Sequence, residues 1–188
     1  MKKNPQLTIT TTLITLLISL GSQGKSLEQD DLVRLQNTKN CANPCDLSNA
    51  DLSRIYLVEA NLTGANLQGA YINEVTLTNA NLQQANLTSA NLGGSYLRGA
   101  NFLGANLNQS RLFRADFKDA ILTQANLQGA VLSRAKNLSA QQIKSACNWE
   151  EGIYHQDAVE NQEFIANLIA DSSSNPEVTI DCSAWSQL

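Results

Sequence analysis

The chain has 188 residues, 16 % of them charged, and a formal net charge of −4. That length suits one domain with appendages, and the slight acidity excludes a strongly basic nucleic-acid binder. Four cysteines, an even number with no Cys-x-x-Cys among them, suit structural pairs better than a redox centre.

Residues 1–24 read as a signal peptide. Lys2 and Lys3 open it, an apolar run extends from Leu7 to Leu20, and Ser22-Gln23-Gly24 follows as a small-residue cleavage site. The run falls short of the ~20 residues that a membrane helix needs, so no stable membrane insertion is expected after cleavage. Residues 25–44 read as an N-terminal cap. Ser26 and Gln29 are spaced as a capping box ahead of Leu32, Val33 and Leu35.

From Leu47 to Leu132 every fifth residue is Leu, Ile or Phe, eighteen times without a gap. Two positions earlier the residue is alanine in thirteen cases and otherwise Cys45, Ile55, Val75, Ser95 or Ser110. The residue between is mostly Asn or Asp. A period of five fits neither a helix nor a plain strand; it describes a coil that turns a corner every five residues and stacks on itself. Twenty-residue columns support four units per turn. The first face reads Asp46, Asn66, Asn86, Asn106, Asn126 and the fourth Asn61, Asn81, Asn101, Ile121, whereas the third reads Tyr56, Thr76, Tyr96, Asp116. Large inward residues alternating with small ones fill a narrow interior without voids, and side-chain amides outside can hydrogen-bond along the stack.

This A(N/D)LXX pattern over residues 45–134 resembles the pentapeptide-repeat family. The resemblance implies an all-β solenoid: a right-handed quadrilateral β-helix of about 4.5 coils, with short helical caps expected at both ends. Exported members with cysteine-bearing ends look like cyanobacterial periplasmic or thylakoid-lumen proteins, and the resemblance implies the periplasm or the thylakoid lumen as the expected location.

Residues 135–188 read as a C-terminal helical cap and tail. The repeat register breaks at Asn137, and Ser139 and Gln142 form a second capping box, with Leu138 and Ile143 spaced as a hydrophobic staple. That helix is expected to run to about Cys147 and another to cover 156–170. Trp185 and Cys182 are candidates to pin the tail. The four cysteines, Cys41, Cys45, Cys147 and Cys182, flank the stack; Cys41–Cys45 and Cys147–Cys182 are favoured among three connectivities. A four-thiolate zinc site would require the two ends of the solenoid to meet, so no metal is expected.

Catalysis finds little support. His155 is the only histidine, and no serine or cysteine motif accompanies it. A filled solenoid offers no concave pocket in which to shift a pKa, so no catalytic residue and no cofactor are expected, and an enzyme would need a cleft at the C-terminal cap. Some family members resemble duplex DNA in size and charge and bind topoisomerases. Here the stack carries six acidic and six basic residues, and export would separate it from such a partner. Nucleic acid is therefore not expected either.

Eleven of those twelve charges lie on faces two and three, which also carry Tyr56, Tyr71, Tyr96 and Phe113. Arg98, Arg111 and Arg114 are expected to frame the tyrosines. Tyrosine and arginine are common anchors of protein interfaces, so the expectation is an exported, non-enzymatic scaffold whose faces two and three bind an unidentified protein partner, a homodimer being one form this could take.

Overall fold

The computed structural model describes residues 26–149 and 181–185, with backbone alone for 26–29. The signal-like segment, the Ser26/Gln29 capping box side chains, His155 and the helix expected over 156–170 lie outside the described residues.

Each five-residue unit makes one side and one corner. The residue before the buried apolar one forms a parallel bridge with its equivalent one coil away, as in Asp46 with Asn66, Asp51 with Tyr71, Tyr56 with Thr76 and Asn61 with Asn81. Four such columns recur at twenty-residue steps, so the coil is four-sided. At the corner, the amide three residues after the apolar one donates back to its carbonyl, as from Ala65 to Leu62 at 3.0 Å. The second corner residue has positive φ in all eighteen units, and glycine fills only six of these positions. At Gly99 an added side chain would meet the end of the Asn79 side chain in the coil below, which would have to turn aside.

The interior consists of the apolar and small columns. Leu67, Leu87, Leu107 and Leu127 are fully buried, as are Ala65, Ala85, Ala105 and Ala125. Phe102 and Phe117 meet inside with ring centroids 6.4 Å apart.

Face three departs from this pattern. The corner bond is made in sixteen units and, among the described residues, is absent at Ile55 and Val75. Both are larger than the usual alanine, which displaces the corner. The Ile72 carbonyl left by Val75 instead accepts the buried Ser95 hydroxyl at 2.5 Å. Ser110 has no such opening: the Leu87 carbonyl below already accepts the Ala90 amide, and the Ser110 Oγ has no partner among the described residues.

Both ends of the stack are closed. Helix α1, Ser26–Thr38, lays buried Leu35 beneath the first coil. Asn40 then forms a bridge under Asn61, which extends the stack below residue 45. Cys41 is bonded to Cys45, and both are buried. At the other end, helix α2, Ala140–Lys144, starts from a Ser139/Gln142 capping box and buries Ile143. The Gln142 amide donates to the carbonyls of Phe117 and Ala120, tying the cap to the last coil. This helix is shorter than the expected run to Cys147. The backbone at Cys147 is recruited into face one, where it bridges to Asn126, donates to Ala125 and accepts from Leu127. Cys147 is bonded to Cys182, and the Trp185 indole donates to the Gln124 carbonyl at 2.9 Å.

Candidate interaction surface

The outward surface is set by the residue that precedes each buried apolar side chain. Eleven of the eighteen are Asn or Asp, and every one accepts, through its side-chain oxygen, the amide two residues on: Asp46 from Ser48, Asn61 from Thr63, Asn86 from Thr88, Asp116 from Lys118 and so on. The side chain thus satisfies a corner amide that the ladder leaves free. On face one, side-chain bonds along the stack at this position run from Asn66 to Asp46, Asn86 to Asn66, Asn126 to Asn106 and Asn148 to Asn126, fewer than the sequence suggests. The selection for Asn and Asp is therefore local to the corner first and a ladder second.

Tyr56, Tyr71 and Tyr96 occupy this same position and cannot make the corner bond. The amides they leave, those of Val58, Asn73 and Arg98, have no acceptor among the described residues. The tyrosines themselves face solvent, 78 %, 56 % and 53 % exposed. Tyr56 and Tyr96 lie on face three with Thr76 bridged between them, which separates their backbones by ~10 Å at the spacing of stacked strands. Tyr71 belongs to face two.

Arg98 and Arg114 do not frame these rings as expected. Arg98 pairs with Asp116 at 2.7 Å, and Arg114 lies over the Phe113 ring, 4.8 Å from its centroid, with Arg134 6.0 Å away. Arg54 pairs with Glu74 one coil above it at 2.9 Å. Ion pairs and the aromatic ring are nearer attractors than the tyrosines. Burial pushes the Asp116 carboxyl up, but hydrogen bonds from Asn137, Arg98 and the Lys118 amide, with the Arg98 charge, outweigh it and hold the group below the usual carboxylate range. Ile121, 45 % exposed at the top of the face-four Asn column, is a further outward apolar residue; its departure from that column is the signal that marks it.

Two other places bring titratable groups or a cavity together. Asp31 lies within 4.8 Å of the Cys41 and Cys45 sulfurs, but those sulfurs are joined in a disulfide. The Asp31 carboxylate pairs with Arg34 and accepts the Asp46 amide, so its oxygens are engaged. At the C-terminal end, Gln84, Gly104, Gln124 and the 181–185 segment surround an open cavity of about 390 Å³. Its only carboxylate among the described residues, Asp181, is held below the usual range by the Ser183 amide and hydroxyl, the opposite of a carboxyl tuned to donate a proton. No helix among the described residues is long and apolar enough to cross a membrane.

The family profile for pentapeptide repeats (8 copies) matches residues 45–79, 76–112 and 110–139. The chain belongs to the pentapeptide-repeat family. The family fold is the right-handed quadrilateral β-helix, in agreement with the four columns. Solved pentapeptide-repeat structures are similar to it. Rfr23 from the cyanobacterium Cyanothece 51142 is 24 % identical over 68 % of this chain and 99 % of its own, with a TM-score of 0.45. A pentapeptide repeat protein of the Arabidopsis thaliana thylakoid lumen is 22 % identical over 80 % of this chain and 98 % of its own, TM-score 0.45. HetL from Nostoc sp. strain PCC 7120, involved in heterocyst differentiation regulation, is 25 % identical over 61 % of this chain and 62 % of its own, TM-score 0.32. Among curated proteins, none matches this pentapeptide-repeat chain.

Proposed function

We propose that this protein is an exported, non-enzymatic scaffold that binds a protein partner through faces two and three. The observation that carries the reading is the placement of Tyr56, Tyr71 and Tyr96. Each stands exposed at a position where every Asn or Asp of the stack bonds a corner amide. A side chain that gives up a local hydrogen bond, worth about 0.5–1.5 kcal/mol, and exposes a large ring suits selection for contact with another molecule. The packed interior leaves the outer surface as the part of the stack that can act. Export rests on the signal-like residues 1–24, and the two disulfides suit an oxidising compartment; the periplasm or the thylakoid lumen is the proposed location.

The test is capture of partners from an extract of the native compartment. Tyr56→Ala/Tyr96→Ala should weaken retention about 5- to 150-fold per anchor, the range for a truncated hot-spot side chain. Gln68→Ala on face one should leave it unchanged. Full retention by the tyrosine variant would overturn the assignment of the surface.

A further inference from the structure

The chain contains six arginines, and they divide into two groups along the stack. Arg34, Arg54 and Arg98 each pair with a carboxylate, at 2.8, 2.9 and 2.7 Å. Among the described residues Arg111, Arg114 and Arg134 have no carboxylate partner, and these three converge on two successive coils of face two. Arg114 and Arg134 occupy the same corner position one coil apart, both with positive φ, and both guanidinium groups stand over the half-exposed Phe113 ring. One coil below Phe113 and Arg114 the corner is Gly93-Gly94, whose backbone runs beneath them and carries no side chains. The result is a step in the surface: bare backbone below, an aromatic ring with two cations above.

We infer that this corner takes a carboxylate-rich segment of the partner protein. The inference rests on the reading of faces two and three as a protein-binding surface and names the chemistry of one part of it. Like charges on adjacent coils repel each other, and carboxylates bridging them would relieve that repulsion. Planar guanidinium groups match carboxylates with paired hydrogen bonds, and ring stacking fixes their orientation in advance. A phosphate-covered surface such as a lipid leaflet or a nucleic acid fits less well, because Glu74, Asp116 and Asp119 lie on the same two faces and would oppose a continuous sheet of anions.

A fluorescein-labelled hexaglutamate peptide, followed by anisotropy with the full mature chain, tests this directly. Binding should weaken as salt rises from roughly 20 to roughly 150 mM, over which the screening length shortens about threefold. Arg114→Gln/Arg134→Gln should weaken it by about fivefold or more with an unchanged circular dichroism spectrum. Gln68→Ala, on face one, should leave it unchanged. Equal affinity of the Arg114/Arg134 variant and the wild type, no binding by the wild type, or tighter binding to phosphatidylglycerol vesicles than to the peptide would each overturn the inference. Partner capture separates it from the underlying reading. If Arg114→Gln/Arg134→Gln keeps every partner that Tyr56→Ala/Tyr96→Ala loses, the acidic contact is wrong and the scaffold reading stands. Loss with the arginine variant alone supports the acidic contact and removes the tyrosines from the interface.

Discussion

Faces one and four and faces two and three close around the same core, yet they use the outward position before the buried apolar residue differently. On faces one and four eight of the nine residues there are Asn or Asp; on faces two and three only three of nine are, the rest being three tyrosines, Thr76, Arg111 and Val131. Every Asn and Asp in this position bonds a corner amide. The first pair of faces therefore carries the residues that the fold itself selects. The second pair gives up six of those bonds, and four of the six replacements are aromatic or cationic.

The shared core sets the scale against which this difference is judged. Leu87 is fully buried in the middle of the stack. Leu87→Asp would place a carboxylate among apolar side chains with no donor, a loss above ~4 kcal/mol that exceeds the margin of most domains. The expected outcome is insoluble or unfolded protein; soluble expression with an unchanged β-type circular dichroism spectrum would refute the inward assignment.

The two buried serines sharpen the comparison at a smaller scale. Ser95→Ala on face three removes the hydroxyl that satisfies the Ile72 carbonyl and should cost about 1–3 kcal/mol. Ser110→Ala on face two removes a hydroxyl without a partner and should be neutral or stabilising. Denaturant midpoints of the two variants measure this, and equal losses would contradict the account of the displaced face-three corner.

Acid should act on the charged faces next. The folded Asp116 carboxyl titrates below the usual aspartate value, so its contribution is complete at neutral pH. It is lost as pH falls from ~3.9, the unfolded value, through the lower folded one. Thermal melts across that range should show less acid sensitivity for Asp116→Asn than for the wild type. Asp46 and Asp51, held low by the Ser48 and Ser53 hydroxyls and amides, leave some sensitivity behind.

The architecture was legible because it repeats. Eighteen apolar residues at a period of five leave one arrangement, and the twenty-residue columns assign each residue to a face. The Ser139/Gln142 capping box was equally local and equally readable. What escaped was whatever depended on contacts between coils. The Asn column suggested a ladder, but the corner amide lies closer to the side chain than its neighbour in the stack does. Position alone groups Arg98 and Arg114 with the tyrosines, while the reach of an arginine side chain lets them turn to Asp116 and Phe113 instead. The sequence runs the helix on to Cys147 because nothing local reveals that its backbone completes a coil against Asn126.

The comparison between the faces turns on whether the tyrosines are retained against the preference of the fold. Tyr56→Asn/Tyr96→Asn measures this most directly, because it installs on face three the side chain found at seven of the nine equivalent positions on faces one and four. The double variant should regain two corner bonds, raising stability by up to about 1–3 kcal/mol in a denaturant titration, while partner retention from a native extract falls. A variant no more stable than the wild type, or one that is more stable and still holds every partner, would contradict the claim that these positions trade stability for contact.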